Sequence, residues 1–367
     1  MKKISKKIIK IGLYNPYLDT LGGGEKHILS IIDNLSKILL EKNYQNQITI
    51  FWNKNILKEL LKRFSFLSKK NLKFYPSLKT LNTLQTLKIL KNFDYFFYVA
   101  DGSYFFSTAK KNYIFSMIPD KKLYQKNLIN ILKLWNFKFI TNSRFTSFYL
   151  NKWGIKNIVI EPYIEKKFYY KNEQKENIIL SVGRFFPHLH SKNHEKIINT
   201  FLDIQKKSQF FKSYKLILAG GLKNEDKNYF ENLKKIAKNN SSIIFKPNIK
   251  TNELINIYHK TKYFWHFTGL GIDEKKYPEK VEHFGIAPLE AIASGCITFC
   301  HNSGGPKMIL KNGKTGFLFN NENNLIKNMI YIEKNQQLQN QIIKEGIKMI
   351  KEKFNQEIFK QKIKLIL

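Results

Sequence analysis

Short apolar runs alternate with longer amphipathic segments along the whole chain. The runs are rich in Ile, Phe, Tyr and Val, a pattern typical of parallel strands buried on both faces. The sequence predicts strands at Ile8–Leu13, Gln47–Trp52, Tyr95–Val99, Tyr113–Ser116, Phe137–Thr141, Ile158–Glu161, Ile178–Val182, Lys215–Leu218, Ser242–Phe245, Tyr263–His266, Ile297–Cys300 and Phe317–Phe319. Most of the segments between them have a helical period, beginning with a helix from Glu25 to about Leu40. This alternation indicates an α/β protein with parallel sheets covered by helices on both faces.

The length of the chain indicates two domains. It has 367 residues, of which 43% are hydrophobic, and this is enough for two cores of ordinary size. The chain becomes polar and charged over 165–176, and we interpret this stretch as a linker. We therefore expect two doubly wound, Rossmann-like domains, residues 1–168 and 169–352, followed by a short C-terminal segment. Ligands of such sheets bind at the carboxyl ends of the strands, which predicts a central cleft between the domains.

The charge of the chain is strongly positive but evenly spread. The net charge is +35; residues 1–165 have 28 Lys and Arg against 10 Asp and Glu, a balance of +18, which leaves +17 for the rest. Arg63, Arg144 and Arg184 are the only arginines, whereas proteins that recognise nucleic acids rely heavily on arginine. We therefore expect no nucleic-acid partner, and a general attraction to anionic membrane surfaces instead.

The cysteines and the N-terminal residues bear on location. Cys296 and Cys300 are the only cysteines, and an isolated C-x3-C is a poor zinc signal, so we interpret them as core thiols of a reducing compartment. The first apolar run is too short for the core of a signal peptide, although basic residues precede it. These residues are Lys2, Lys3, Lys6 and Lys7, and a further basic residue, Lys10, lies within the run. We expect a cytoplasmic protein that can rest on the inner face of a membrane.

The segment from 282 to 319 is the most informative about function. Glu282 and Glu290 stand on either side of a loop that contains Gly285. Pro288 predicts a helix start beside this loop, because proline suits the first helical turn. We therefore place Glu282 in the loop and Glu290 in the first turn. The glycine allows the backbone to approach a ligand, and N–H groups at a helix start attract anions.

Two interpretations of these carboxylates are open. Carboxylates beside an anion site repel the anion unless they accept hydrogen bonds from neutral hydroxyl groups. A nucleotide sugar has both kinds of group, since its pyrophosphate lies between two polyols. The alternative is a surface helix with two solvated acids, which the helix dipole favours near the N-terminus.

The wider pattern resembles a known family. The two glutamates, the small-residue helix, the following glycine and β-branched strand, and a Gly-Gly-Pro turn are similar to the donor-binding signature of the retaining family 4 glycosyltransferases. The run His301–Lys307 also resembles the eukaryotic GDP-mannose-dependent α-1,2-mannosyltransferases of the lipid-linked N-glycan pathway. The resemblance implies the GT-B fold, in which two Rossmann-like domains face a central cleft. It further implies that residues 1–168 bind the acceptor, that 169–352 bind the nucleotide sugar, and that a helix in 353–367 crosses back to the first domain.

The resemblance also assigns roles to charged residues. Arg184 and Lys192 would be the cationic pair on the diphosphate, Glu282 would bind a sugar hydroxyl, and Glu290 would hold the ribose. The leaving nucleoside diphosphate gains negative charge, and fixed cations stabilise it. The chain has no Asp-x-Asp motif of the metal-dependent class, so we expect neither metal nor cofactor, with Arg184, Lys192 and Glu282 as the catalytic set. For Arg184 and Lys192, the alternative is two surface bases in a lysine-rich chain.

Backbone positions complete the implied donor site. Backbone amides would come from the loop after Glu282, and glycines near strand ends would make room for the donor. These residues are Phe284, Gly285, Ile286, Ala287, Gly23, Gly24, Gly183 and Gly220. Gly23 and Gly24 could cradle a phosphate or the acceptor, and a simple turn is the alternative interpretation.

The acceptor side departs from the family pattern. Many relatives have a histidine near the end of a first-domain strand, and the corresponding residues 115–119 have none. Asp101 is a candidate substitute, and His266 is a candidate on the sugar side, although packing explains His266 equally well.

Taken with the resemblance, the sequence predicts a retaining, metal-independent glycosyltransferase. It would move a hexose, with mannose favoured, from a nucleotide sugar, with GDP-mannose favoured, to a glycan or lipid-linked acceptor. Three alternatives stay open: a UDP-sugar-dependent transferase of the same fold, a nucleotide-sugar epimerase, and a non-catalytic nucleotide or polyanion binder.

Overall fold

The computed structural model describes residues 8–64, 66–67, 71–188, 191–238 and 240–367. The N-terminal lysines discussed above, Lys2, Lys3, Lys6 and Lys7, lie outside these residues. The chain forms two compact units, Met1–Pro162 with Glu357–Leu367, and Tyr163–Gln356. The junctions thus fall at 162/163 and 356/357, against 168/169 and 352/353 expected from the sequence.

The first unit is built on a seven-stranded parallel sheet with the order β3-β2-β1-β4-β5-β6-β7. Its strands are β1 Ile8–Tyr14, β2 Gln45–Phe51, β3 Leu72–Tyr75, β4 Tyr95–Val99, β5 Lys111–Ser116, β6 Phe137–Thr141 and β7 Asn157–Val159. Its helices are α1 Gly23–Glu41, α2 Leu57–Arg63, α3 Thr83–Leu90, α4 Leu128–Leu134 and α5 Arg144–Lys152. Strand β3 has no counterpart in the sequence prediction, because one of its four residues is a lysine and only Leu72 is buried.

The second unit is built on a six-stranded parallel sheet with the order β10-β9-β8-β11-β12-β13. Its strands are β8 Glu176–Val182, β9 Lys215–Gly220, β10 Ile243–Pro247, β11 Thr261–His266, β12 Ile297–His301 and β13 Phe317–Phe319. Its helices are α6 His194–Lys207, α7 Lys227–Ile236, α8 Thr251–Lys260, α9 Ile286–Ala293, α10 Gly304–Ile309, α11 Glu322–Glu333 and α12 Gln336–Lys353. The predicted pair of parallel sheets with helices is therefore confirmed.

Alternate residues of the second sheet enter different cores. Ile179 and Leu216 pack in one apolar cluster, whereas Leu180 and Ile217 pack in another. Successive side chains of a strand point to opposite faces, so each face of the sheet is covered. This two-sided burial explains why the strands are apolar almost throughout.

The C-terminal helix α13, Gln356–Ile363, takes the chain back to the first unit. Lys362 Nζ donates to Glu161 at 2.7 Å, and the Tyr113 hydroxyl donates to the carbonyl of Ile366 at 2.9 Å. The predicted crossing of the last helix to the first domain is confirmed.

The predicted linker is part of the second unit. Phe168 is buried in one of that unit's cores, and its carbonyl accepts from Ser294 Oγ at 2.7 Å. Tyr170 N–H donates to the carbonyl of Ala293 at 2.8 Å. The polar segment 165–176 is therefore attached to the second unit through Phe168 and Tyr170 and is not a free linker between two domains.

In the described residues, no helix is long and apolar enough to cross a membrane.

Candidate active site

The strand order of the second sheet reverses between β8 and β11, which run side by side. A reversal of this kind leaves a crevice at the carboxyl ends of the two strands, and ligands of α/β sheets bind there. Strand β8 ends at Val182, and the chain continues into Gly183 and Arg184. Strand β11 ends at His266. Two candidate residues, Arg184 and His266, therefore flank the switch point.

At this point Lys192, Glu282 and His266 form one polar cluster. Lys192 Nζ lies 2.8 Å from Glu282 Oε2, and His266 Nε2 lies 2.9 Å from the same oxygen. His266 is 2% exposed as a residue, and the side chains of Lys192 and Glu282 are 17% and 20% exposed. The structure thus brings Lys192 to a carboxylate, whereas the resemblance pairs it with Arg184.

Burial and the neighbouring groups determine the protonation of Glu282 and His266. Burial alone would raise the pKa of Glu282, but the Lys192 ammonium and the hydrogen bond from His266 hold it well below its ordinary value. Burial lowers the pKa of His266, against the opposing hydrogen bond to Glu282. At neutral pH the cluster is therefore an ionised glutamate that accepts from an ammonium and from a neutral imidazole.

Gly183 and Gly220 make room for this cluster. A Cβ atom on Gly183 would lie 2.4 Å from Lys192 Cγ, so the stem of Lys192 runs directly over the glycine. A Cβ atom on Gly220 would lie 1.8 Å from the Gly183 carbonyl oxygen. Both glycines have a packing reason to be small, whatever they contribute to a ligand.

The loop that contains Lys192 is also anchored by the next residue, Asn193. Asn193 adopts a left-handed conformation with φ of 55° at the start of α6, and its side-chain amide donates to the Phe267 carbonyl at 2.8 Å. This bond ties the loop to the end of β11, one residue beyond His266. Asn193 therefore fixes the chain directly after Lys192 next to the end of β11.

Arg184 is exposed, with its guanidinium carbon 4.6 Å from the centre of the Phe186 ring. A guanidinium that stacks on an aromatic ring keeps its N–H groups available at its edge. Arg184 and Lys192 thus flank Gly183, but only Lys192 is in an ion pair with Glu282.

Helix α9 starts two residues earlier than the sequence prediction. Gly285 is its N-cap with φ of 91°, a left-handed conformation that favours glycine, and the helix begins at Ile286 rather than at Pro288. Glu290 is consequently the fifth helical residue and lies beyond the first turn, so its predicted position is wrong. Pro288 has no N–H to donate, which leaves the amides of Ile286 and Ala287 as the N–H groups at the helix start.

The charge of Glu290 affects the pKa of a buried tyrosine, Tyr258. Burial, followed by the charge of Glu290, raises the pKa of Tyr258 well above its ordinary value. The Tyr258 hydroxyl also lies 3.4 Å from the Ala287 carbonyl. Glu290 is half-buried on the α9 face next to Tyr258.

The Gly-Gly-Pro turn holds the Glu282 loop in place. Gly305 N–H donates to the Glu282 carbonyl at 2.7 Å. A Cβ atom on Gly304 would lie 2.1 Å from that carbonyl oxygen, and one on Gly305 would lie 2.6 Å from Phe284 Cα. Glu274 Oε2 then accepts from Gly304 N–H at 2.8 Å. The turn after β12 is therefore a backbone clamp on the loop that presents Glu282.

In the first unit, the predicted glycines Gly23 and Gly24 open helix α1. The preceding Gly22 N–H donates to Glu25 Oε2 at 2.7 Å, and Thr20 Oγ1 donates to the same oxygen at 2.6 Å. A Cβ atom on Gly24 would lie 2.3 Å from Met117 Sδ. The N-cap amide of this helix is thus bound by a buried carboxylate of its own chain.

Asp101 belongs to a polar cluster of the first unit, whereas His266 belongs to the second unit. Lys79 Nζ lies 3.0 Å from Asp101 Oδ2, and Ser103 N–H and Oγ donate to Oδ1 at 2.9 and 2.6 Å. The Tyr98 hydroxyl also donates to Oδ1. Burial would raise the pKa of Asp101, but these donors lower it. Asp101 is therefore an ionised, fully bonded carboxylate at the end of β4.

Sequence reasoning missed Lys79 and Glu274 as partners in these clusters. Lys79 is one lysine among 60, since three of the 63 basic residues are arginines, and no motif distinguishes it. Glu274 lies in the loop between β11 and α9, where its bonds to Gly304 and Lys307 become visible only in three dimensions.

The stability of the fold is expected to depend on pH through Glu282. The folded-state pKa of Glu282 is lowered, so its contribution to stability is complete above the unfolded-state pKa of about 4.3 and is lost progressively as pH falls below it. The urea midpoint of the parent should exceed that of Glu282→Gln at pH 6, and the difference should shrink towards pH 3. Glu231→Gln, which removes the acid of an exposed pair with Lys234, should change the midpoint little at either pH. A constant difference between parent and Glu282→Gln across this range would contradict the prediction.

The chain matches known proteins in sequence as well as in fold. A sequence model of the family described as glycosyl transferases group 1 matches residues 163–349. The GDP-Man:Man(3)GlcNAc(2)-PP-Dol alpha-1,2-mannosyltransferase of Mus musculus is 28% identical over 215 residues, which are 56% of this chain and 39% of that protein. The Xenopus tropicalis protein of the same name is 32% identical over 180 residues, 47% of this chain and 34% of that protein. The matched region thus spans about two fifths or less of the curated relatives' length.

Solved structures match both units. Anabaena Alr3699/HepE in complex with UDP has a TM-score of 0.70 at 13% identity and covers 98% of both chains. A glycosyltransferase from Rickettsia africae has a TM-score of 0.68 at 17% identity and covers 99% of both chains. These matches confirm the GT-B fold that the motifs implied, and the family model covers the unit that contains Lys192, Glu282 and His266. The chain belongs to the group 1 glycosyl transferase family.

Proposed function

We propose that this chain transfers a hexose, with mannose favoured, from a nucleotide sugar to a glycan or lipid-linked acceptor. The observation that carries the proposal is the Lys192–Glu282–His266 cluster at the switch point of the second sheet. The family match covers this unit, and the curated relatives that match part of this chain are named as GDP-mannose enzymes. Retention of configuration, independence of metals and a cytoplasmic location are parts of the proposal that stay predictions.

The cluster is suited to a sugar hydroxyl. Both donors bond Glu282 Oε2, so within the described residues Oε1 is the oxygen left to accept from a ligand. Because Glu282 stays ionised, its hydrogen bond to a hydroxyl is a charge-assisted one, stronger than a bond between neutral groups. We assign Glu282 to a hydroxyl of the transferred sugar.

The neighbouring groups are suited to a diphosphate. Arg184 is exposed beside Gly183, and Lys192 passes over that glycine. The N–H groups at the start of α9 add partial positive charge. As the glycosidic bond breaks, the leaving diphosphate gains charge that Arg184 and Lys192 stabilise. Glu290, the fifth residue of the same helix, would accept from the ribose hydroxyls.

The reaction then needs a base for the acceptor hydroxyl. Front-face attack gives retention, and the leaving phosphate takes the acceptor proton as its bond to the sugar breaks. In this scheme the chain orients the donor and stabilises charge, and it supplies no covalent nucleophile.

The second prediction tests the donor. GDP and UDP, titrated against the protein at identical salt because a lysine-rich site binds any diphosphate partly by charge, should differ in affinity at least tenfold in favour of GDP, about 1.4 kcal/mol. Glu290→Gln, which keeps the shape and loses the charge, should weaken both nucleotides. The Glu231→Gln variant should weaken neither.

Labelled donors then separate the possible activities. Transfer of label from GDP-mannose to an added acceptor supports the proposal, and conversion of the donor without an acceptor indicates an epimerase. Nucleotide binding without turnover of GDP- or UDP-sugars indicates a binding protein. A preference for UDP would overturn the choice of GDP-mannose and leave a UDP-sugar transferase of the same fold.

A further inference from the structure

Helix α4 of the first unit is apolar and exposed. Leu128 is 81% exposed, Leu132 61% and Trp135, directly after the helix, 79%. None of the seven helical residues is buried, and only Leu134 packs against the core of the unit. Leu128, Leu132 and Trp135 have the spacing i, i+4, i+7, which places them on one face of a helix. The face that a helix normally buries is here turned outward, with Ile129 and Ile131 beside it.

The chain around α4 is uniformly basic. Between Asp120 and Glu161 there is no acidic residue. The same stretch contains eight basic residues, Lys121, Lys122, Lys126, Lys133, Lys138, Arg144, Lys152 and Lys156. This local concentration contrasts with the even distribution of charge between the halves of the chain.

Hydrogen bonds hold helix α4 in place although its apolar face is exposed. Asn127 caps its N-terminus by accepting from Asn130 N–H at 2.8 Å. Lys126 Nζ donates to the carbonyls of Trp153 and Gly154, at 3.0 and 2.8 Å, at the end of α5. The exposed face is therefore presented from a fixed position on the unit.

We propose that the α4 surface, residues 128–135 with the lysines of 121–156, docks on an anionic lipid bilayer. An apolar helix face with Trp and a lysine-rich surround is the composition of a helix that lies in the membrane interface. The apolar side chains enter the headgroup region, and the lysines bind anionic lipids. The inference does not depend on the proposed donor or on the reaction.

Charge argues against a second copy of the chain as the occupant. A two-fold dimer brings the same patch of both copies together, and in each copy the chain between Asp120 and Glu161 contributes basic side chains without any acidic one. One seven-residue helix also offers much less than the roughly 800 Å² per partner that a stable interface needs. An anionic bilayer, in contrast, complements the charge of the patch, and binding to it does not require an interface of that size.

Vesicle binding tests the inference. The parent should sediment with vesicles of phosphatidylcholine and phosphatidylglycerol, at least tenfold more strongly than with phosphatidylcholine alone. Leu128→Ser/Leu132→Ser/Trp135→Ser, which keeps every lysine, should lower binding to the mixed vesicles at least tenfold. The matched control Leu84→Ser/Tyr331→Ser/Leu365→Ser removes three exposed apolar residues elsewhere and should bind as the parent does. The urea midpoint should be the same in all three proteins, which shows that the variants are folded.

Tryptophan fluorescence provides a measurement on the intact surface. The chain has four tryptophans, and the parent emission should shift to shorter wavelength with mixed vesicles and be quenched by brominated lipids. Trp135→Phe should still bind and lose most of the shift and quenching. Equal binding by the α4 variant and the parent would show attraction by net charge alone and overturn the proposal. A parent that self-associates through α4 and leaves vesicles unbound would overturn it in favour of a second copy.

Discussion

Replacing Lys192 with alanine is expected to lower the rate of sugar transfer about a hundredfold, the scale for one lost donor to developing charge. In the proposed donor complex, two effects would contribute to this loss. The diphosphate would lose a cation, and Glu282, which accepts from Lys192 at 2.8 Å, would keep its charge beside the phosphate. Arg184→Ala should have a similar effect, and the double variant should lose less than the sum of the two single effects if both cations act on one diphosphate as proposed. Lys207→Ala, which removes an exposed lysine paired with Asp203, is the matched control and should retain full activity.

A second pair of variants separates catalysis from folding. Lys192→Ala leaves a half-buried carboxylate without its ammonium, and removing one partner of a buried pair is more destabilising than removing both. Lys192→Ala/Glu282→Gln should therefore recover stability in urea relative to Lys192→Ala and remain as inactive. Recovery of both stability and activity would show that Lys192 is only a structural counter-ion of Glu282. Full activity of Lys192→Ala or Arg184→Ala in the presence of a chelator would remove the role of the pair on the diphosphate.

The sheets were predictable because their strands are buried on both faces. Tyr95–Val99 and Ile297–Cys300 have almost no polar residue, and such runs stand out between amphipathic helices. Strand β3 lies at the edge of its sheet and is mostly exposed, so its residues lack this signal. The start of α9 was misplaced because proline is tolerated throughout a first helical turn. Gly285, with its positive φ, was the better marker of the helix cap.

The candidate site was predictable as a set of residues but not as a set of contacts. Lys192 and Glu282 are 90 residues apart in the sequence, and no spacing rule connects a lysine in one loop with a glutamate in another. The ion pair arises because β8 and β11 are neighbours in the sheet, which is a property of strand order. In the first unit no spacing rule connects Lys79 with Asp101 either, and the strands that precede them, β3 and β4, are not even neighbours in the sheet.

Gly304→Ala is expected to be severely destabilising and to displace Glu282. Its Cβ atom would lie 2.1 Å from the Glu282 carbonyl oxygen, and its φ of 63° is itself unfavourable for alanine. Forced overpacking against backbone costs about 3 kcal/mol, and the left-handed conformation adds roughly 1 kcal/mol. The loop cannot keep its hydrogen bond to Gly305 N–H and accept the new methyl group at the same time.

Gly313→Ala separates the cost of the steric clash from the cost of the left-handed backbone conformation. Gly313 has a similar φ of 72°, but no atom lies within 4 Å of its Cβ position, so alanine there should cost only about 1 kcal/mol. Urea midpoints of both variants measure the difference, and equal midpoints would mean that backbone conformation alone explains the glycine at 304. Nucleotide-sugar KM at a temperature where both variants are folded tests the second consequence, since only Gly304→Ala moves the carboxylate. If Gly304→Ala unfolds early but binds the donor like the parent, the turn stabilises the fold without positioning Glu282. A raised KM together with loss of the Glu282-dependent pH effect on stability would show that the clamp sets the geometry of the ion pair itself.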